Sequence, residues 1–292
     1  MKEAYLYEKL KDNKVRCLGC NHYCEIPENK TGICRVKKNI KGKLYSLVYE
    51  KPCAVSIEPI EKKPLYHFLP GTQTLSLATV GCNFSCYSCQ NWTISQGPKI
   101  FKRIEGEKVS CKEIVKLAKE KELPSISYTF TEPTIFLEYA FDIMKLAKKQ
   151  GIKNIWVTNG FFSKETLNLI SPYLDAVNVD LKSFSDDFYR KFCGGTLQPV
   201  LSNLKELVKN KVWVEITTLI IPGLNDSEKE LENIAKFIKN ELGQNVPWHI
   251  SRFFGDISWK FQDIPDTPIE TLLKAEKIGK KAGLKYIYLG NV

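Results

Sequence analysis

From residue 75 onward the chain alternates short apolar runs rich in β-branched residues with amphipathic stretches, repeating at roughly 25–35 residues. Runs apolar on both faces, each followed by a helix that could cover them, are the pattern of a parallel sheet. They predict strands over 75–80, 125–130, 154–158, 176–181, 212–221 and 246–253, with 286–289 as a seventh. Residues 134–150 set Ile135, Tyr139, Ile143 and Ala147 on one helical stripe that stops at Gly151, a natural left-handed cap. Three further helices are announced by capping boxes: Ser110 with Glu113, Ser227 with Glu230, and Thr267 with Glu270, the last with Pro268 at the first helical position. Strand and helix repeating in this way give right-handed βαβ units, hence a barrel or a doubly wound sheet. No Gly-x-Gly-x-x-Gly follows the first strand and no Gly-Lys-Ser/Thr loop occurs, which removes the usual dinucleotide and P-loop explanations. Six or seven units favour a partial barrel, so the expected class is α/β with a partial (β/α)6 TIM-type barrel over residues 75–292.

Residues 1–74 read differently, with five cysteines, turn residues and short mixed runs, and are expected to form a small cysteine-containing cap with a boundary near Pro70-Gly71. The 43% hydrophobic content supports a large core and argues against disorder. A formal charge of +10, from 43 Lys and Arg against 33 Asp and Glu, would suit an acidic partner, but no block of like charge concentrates it. A solvated lysine-rich surface is the plainer reading. No apolar run approaches the length of a membrane span and the amino end has no signal-peptide pattern, so the expected location is the cytoplasm, with no membrane partner.

In a reducing compartment clustered cysteines point to metal or redox chemistry more than to disulfides. Only His22, His67 and His249 are available as imidazole ligands, which leaves little room for a multi-histidine centre. Directly after the first predicted strand stand Cys82, Cys86 and Cys89 at C-x3-C-x2-C spacing on one short loop. A structural zinc wants four ligands, usually as two separated pairs. A cubane iron–sulfur cluster held by three cysteines instead leaves one iron open to a substrate or cofactor. In βα barrels chemistry gathers at the C-terminal ends of the strands. That rule places Glu132, Asn159, Asp180, Lys182, Thr217, Thr218, His249 and Arg252 around the same mouth. Helix-capping and core roles stand beside the functional ones for each of them.

The three-cysteine loop after the first strand of a βα barrel resembles the signature of the radical S-adenosylmethionine (SAM) superfamily. Ile60-Glu-Lys-Lys-Pro-Leu-Tyr-His-Phe68, Gly81-Cys-Asn-Phe84, Gln90-Asn-Trp-Thr-Ile-Ser-Gln96 and Tyr288-Leu-Gly-Asn-Val292 are similar to the radical SAM member of the AmmeMemoRadiSam group. Val157-Thr-Asn-Gly160, Asp180-Leu-Lys182 and Ile221-Pro-Gly-Leu-Asn-Asp226 resemble the related pyruvate formate-lyase activating enzymes. The resemblance implies a [4Fe-4S] cluster on Cys82, Cys86 and Cys89 whose open iron takes the amine and carboxylate of SAM. It implies Glu132 at the methionyl amine, and Asn159, Asp180 and Lys182 at the ribose and methionyl groups. Thr218 and His249 complete the cofactor-binding set, and residues 221–223 would line the adenine. It also implies an electron donor such as ferredoxin or flavodoxin, and Memo-type and AMMECR-type proteins as partners. Two departures stand out: Phe130 and Thr131 replace the glycines before Glu132, and Ser88 replaces the usual aromatic before the third cysteine, with Tyr87 beside it.

The expected function is reductive cleavage of SAM to a 5′-deoxyadenosyl radical that abstracts hydrogen from a peptide, protein or small molecule, in the manner of an activating enzyme. The alternatives are radical SAM modification of tRNA, which would reconcile charge with chemistry, and a non-enzymatic zinc-bearing nucleic-acid module. Cys17, Cys20, Cys24 and Cys34 form a four-thiol set suited to zinc or a second cluster, or else are unliganded thiols of the cap. Cys53 and Cys111 read as small buried hydrophobes, and Cys193, beside Gly194-Gly195, reads likewise or as part of a mobile substrate-side loop.

Overall fold

A computed structural model describes residues 1–292. The amino-terminal region folds into two small antiparallel sheets. One pairs β1 (Lys2–Glu3), β6 (Lys43–Ser46) and β5 (Lys37–Ile40); the other pairs β2 (Tyr7–Lys9), β3 (Val15–Cys17) and β4 (Glu25–Ile26). Their shared core is only Ala4, Val15, Ile26 and Leu44.

The rest is built on one eight-stranded sheet: β7 (Ala54–Pro59), β8 (Gln73–Ala78), β9 (Ser125–Tyr128), β10 (Lys153–Thr158), β11 (Ala176–Asp180), β12 (Trp213–Ile220), β13 (Trp248–Arg252) and β14 (Ile287–Gly290). From β8 to β14 every pairing is parallel and every strand lies beside its sequence neighbour. The sheet thus winds one way as a partial barrel, with helices outside and all C-terminal strand ends on one rim. All seven expected parallel strands are present. The eighth, β7, is antiparallel to β8 and comes from the segment expected to lie in the cap. The expected boundary near Pro70-Gly71 therefore falls within the connection between two paired strands of the large sheet.

The helix expected at 134–150 is a 3-10 turn, Pro133–Phe136, running into an α-helix, Leu137–Lys149, with its expected stripe fully buried. Of the three capping boxes, only Ser110–Glu113 closes in both directions. Ser227 caps the amide of Glu230, but the Glu230 carboxylate turns to Ser183 and Phe184 on the neighbouring connection. Thr267 caps nothing: its hydroxyl donates to Ile220 O at 2.6 Å while Phe253 N donates to it at 3.2 Å, tying together the ends of β12 and β13.

The connection from β7 to β8 folds across the N-terminal end of the barrel, where Ile60 and Leu65 pack on Ile155 and Ala176. Its anchor is Glu215, whose side chain points inward from β12 and is fully buried. The carboxylate accepts from Tyr66 N (3.0 Å), His67 N (2.9 Å) and Trp213 Nε1 (3.0 Å), and pairs with His249 Nε2 at 2.7 Å. Burial works to raise its pKa, but these hydrogen bonds outweigh burial and hold the carboxyl below its ordinary range. A depressed folded-state pKa means stability that is present above the unfolded-state value and is lost as pH falls through the folded one. We expect Glu215→Gln to cost about 3 kcal/mol at neutral pH by urea denaturation. The gap from wild type should narrow below about pH 4.3. A gap that does not change with pH would show that folding leaves the Glu215 pKa unshifted.

Candidate active site

The sequence leaves β8 through Thr79, Val80 and Gly81 and enters the three-thiol loop. Gly81 sits at φ 105°, and a Cβ there would come within 2.8 Å of Val36 Cγ1 and 3.2 Å of Cys34 O, so the amino-terminal region packs directly on the loop's first turn. The loop is fixed mainly through its backbone. Ser85 N donates to Cys193 O (2.8 Å) and Tyr87 N to Phe192 O (2.9 Å). Lys99 Nζ donates to Phe84 O and Ser85 Oγ, both at 2.8 Å. His22 Nε2 meets Asn83 O at 2.9 Å. Gly195 permits this closeness from below, since a Cβ there would stand 2.3 Å from Phe84 Cε1.

All ten cysteines are free. Burial, followed by the nearby Glu132 charge, pushes the Cys82 thiol far up, while Lys99 opposes the shift. Cys86 is raised first by a thiol hydrogen bond with Cys193 and then by burial; Cys89 is raised by burial, with Ser95 Oγ at 3.4 Å from its sulfur. Lys182 lies close enough to lower both. No three Cys, His, Asp or Glu side chains stand ready as a coordination sphere. The donor set nonetheless suits an iron–sulfur cluster: three thiols on one loop, a backbone N–H from Phe84 on Cys82 Sγ at 3.4 Å, and two lysines to offset thiolate charge.

Glu132 and Asn159 reach the rim as expected, but as braces. The buried Glu132 carboxylate accepts from Thr134 N (3.2 Å), Thr134 Oγ1 (2.6 Å), Thr158 Oγ1 (2.8 Å) and Asn159 N (2.9 Å). Burial nevertheless raises its pKa. Asn159 accepts from Phe161 N at 3.0 Å and donates from Nδ2 to Asn83 Oδ1 at 2.8 Å, carrying the brace into the thiol loop. Asp180 and Lys182 pair at 2.9 Å at the end of β11, with side chains 39% and 22% exposed, so both keep donors or acceptors for a ligand. Burial alone would lower the Lys182 pKa; Asp180 and the Cys86 and Cys193 thiols raise it well above its usual value.

Two residues expected in the cofactor set lie elsewhere. Strand alternation turns Thr218 to the helix side, where it donates to Leu181 O (2.9 Å) and accepts from Trp248 Nε1 (3.0 Å). His249 faces inward but sits three residues below the end of β13, paired with Glu215 and enclosed by Tyr66 and Tyr288. Thr217 also faces inward, donating to Asn178 Oδ1 at 2.9 Å, and Arg252 is occupied by Thr267 O at 2.8 Å. In the turn over 221–223, Ile221 N and Gly223 N donate to Asn225 and Asp226. Tyr87 packs against Phe192 and Phe261, with the Lys260 ammonium 4.6 Å from its ring centre. Cys193 and Cys111 are buried, whereas Cys53 is half-buried.

The sequence reading missed Lys99, His22 and Glu215. A carboxylate inside an otherwise apolar strand was the available signal for Glu215; Lys99 and His22 act through loop carbonyls, which no spacing rule reveals.

Comparison with known proteins gives four matches. The radical SAM superfamily profile matches residues 76–238. MJ0808, an uncharacterized protein of Methanocaldococcus jannaschii, is 47% identical over 100% of this chain and 86% of its own length. A pyruvate formate-lyase-activating enzyme of Clostridium pasteurianum is 28% identical over 73% of this chain and 92% of its own. Among solved structures, Streptococcus suis SuiB bound to precursor peptide SuiA superimposes with a TM-score of 0.57 over 80% of this chain and 51% of SuiB, at 13% identity, a likeness of fold.

Glu132→Gln would turn amide hydrogens toward groups that themselves donate. It should destabilise the protein by about 1–3 kcal/mol in urea denaturation. An unchanged midpoint would show that the carboxylate is no brace.

Proposed function

Because the chain belongs to the radical SAM superfamily, we propose that it binds a [4Fe-4S] cluster on Cys82, Cys86 and Cys89 and SAM at the adjoining rim. When bound, such a cluster supplies the electron that splits the sulfonium bond of SAM, yielding a 5′-deoxyadenosyl radical that takes a hydrogen atom from substrate. The observation that carries this reading is the free three-thiol loop at the C-terminal end of the first parallel strand, where barrel chemistry gathers. Membership removes the non-enzymatic zinc module as an account of the whole chain.

The chain's own residues divide the work. Glu132, Thr158, Asn159 and Asn83 hold the loop against the ends of β9 and β10. Asp180 and Lys182 present opposite charges beside the thiols and suit the ribose hydroxyls and the methionyl carboxylate and amine. Val80 and Phe84, both buried, keep the loop's inner side apolar and limit water. The likeness to an activating enzyme favours a protein or peptide substrate, with a glycine as hydrogen donor. A ferredoxin- or flavodoxin-like electron donor, and Memo-type and AMMECR-type proteins as partners, belong to the same reading.

Anaerobically reconstituted protein given dithionite and SAM should release 5′-deoxyadenosine, and Cys86→Ala should abolish it. Reconstituted protein that holds four irons yet forms none would refute the assignment. Asp180→Asn should raise the KM for SAM roughly tenfold and leave the thermal midpoint in place, the opposite split to Glu132→Gln.

A further inference from the structure

We propose that Cys17, Cys20, Cys24 and Cys34 bind a second metal centre, a soft four-thiolate site for zinc or an iron–sulfur cluster, that props the loop carrying Cys82. Three separate backbone features bring these residues near one another, although no three of their side chains converge into a coordination sphere as they stand. Cys17 ends β3 and Cys24 precedes β4; Cys17 N donates to Cys24 O at 2.9 Å, continuing the register Val15↔Ile26 and Arg16↔Glu25, so the two face each other directly. The turn between them carries Cys20, closed by Tyr23 N to Cys20 O at 3.0 Å. A second turn, closed by Arg35 N to Gly32 O at 3.0 Å, brings in Cys34. Cys34 is felt electrostatically by Cys17, Cys20 and Cys24 alike.

Two of the sulfurs lie against bare backbone: a Cβ on Gly19 would stand 3.6 Å from Cys17 Sγ, and one on Gly32 would stand 3.6 Å from Cys24 Sγ.

The amino-terminal sheets have few staples of their own: strands two to four residues long share a core of four side chains with no disulfide, while Val36, Val48 and the buried Lys37–Glu138 ion pair fasten the region to the barrel. Tetrahedral sulfur sites select zinc or iron–sulfur. The set also abuts the catalytic loop: His22, between Cys20 and Cys24, contacts Asn83 O at 2.9 Å, and Cys34 O would lie 3.2 Å from a Cβ on Gly81. A metal here would fix the turn on which Cys82 begins.

The test uses the full chain with Cys82, Cys86 and Cys89 all changed to Ala, so that SAM chemistry plays no part and failure of that assignment leaves the result untouched. After anaerobic reconstitution, zinc, iron and sulfide are counted per chain, and cobalt(II) is titrated for the intense charge-transfer bands of thiolate ligation. About one zinc, or about four irons with matching sulfide, supports the site and tells the two occupants apart. Adding Cys34→Ser should weaken cobalt binding at least tenfold, and chelation should lower the parent's melting temperature until metal is restored. A folded parent that takes up neither zinc, iron nor cobalt overturns the proposal, as does metal held equally well after Cys20→Ala and Cys34→Ser are added.

Discussion

The site depends on one buried carboxylate. Glu132 follows β9, and by accepting from Thr158 and from the amide of Asn159 it locks the end of β10 to the end of β9. Asn159 then reaches Asn83 inside the thiol loop, so a single negative charge sets the relative position of three strand ends. A parallel sheet places such ends on one rim but gives the loops that leave them no ladder partners, and buried polar groups must be paired by something. Here a glutamate does it, at the expense of a raised pKa that its donors only partly offset. A residue whose spacing suggests a ligand can therefore be fully engaged by the scaffold while its charge still acts on Cys82.

The other end of the barrel is organised in the same way. Glu215 gathers two backbone amides, an indole and an imidazole and closes the floor. Lys63, buried in the same connection, pairs with Glu58 of β7 and places its ammonium 4.5 Å from the ring centre of Phe130. Phe130 itself adopts φ 60° where a glycine would be easier, and that strained turn directs its ring to Lys63. Phe130 thus supplies an aromatic contact for a buried lysine.

How legible this was in the sequence follows from what each residue does. The seven parallel strands and the stripe of Ile135, Tyr139, Ile143 and Ala147 follow from burial, which writes a period into the chain. β7 escaped because it inverts the rule: Val55 and Ile57 face out while Ser56 and Glu58 face in, so alternation gave no sign of which face is covered. Thr218 and Thr217 differ by one residue and point to opposite sides of the sheet, a distinction that needs the register and not the run. His249 was placed at the rim because it lies on the right strand; its depth is fixed by a partner, Glu215, thirty-four positions away. The three-thiol loop was the clearest feature because its chemistry is local, and local chemistry survives without tertiary information.

Electrostatics explains why a thiol loop needs these neighbours. Burial favours the thiol form at Cys82 and Cys89, and the Cys193 hydrogen bond followed by burial does so at Cys86, so a cluster must displace those protons to bind. Lys99 and Lys182 work in the opposite direction from two sides, Lys99 on Cys82 and Lys182 on Cys86 and Cys89. Burial in turn lowers the pKa of Lys99, and the nearby sulfurs raise it again, so thiolate and ammonium each make the other's charge easier to keep. Lys99 is also pinned by Phe84 O and Ser85 Oγ, and therefore cannot swing to solvent without releasing the loop backbone. Its role couples two properties that are usually separate: the conformation that presents the thiols and the field that lets them lose their protons. Lys182 has no such backbone tie from its ammonium and pairs only with the half-exposed Asp180, which leaves it free to respond when a charged ligand arrives at the rim.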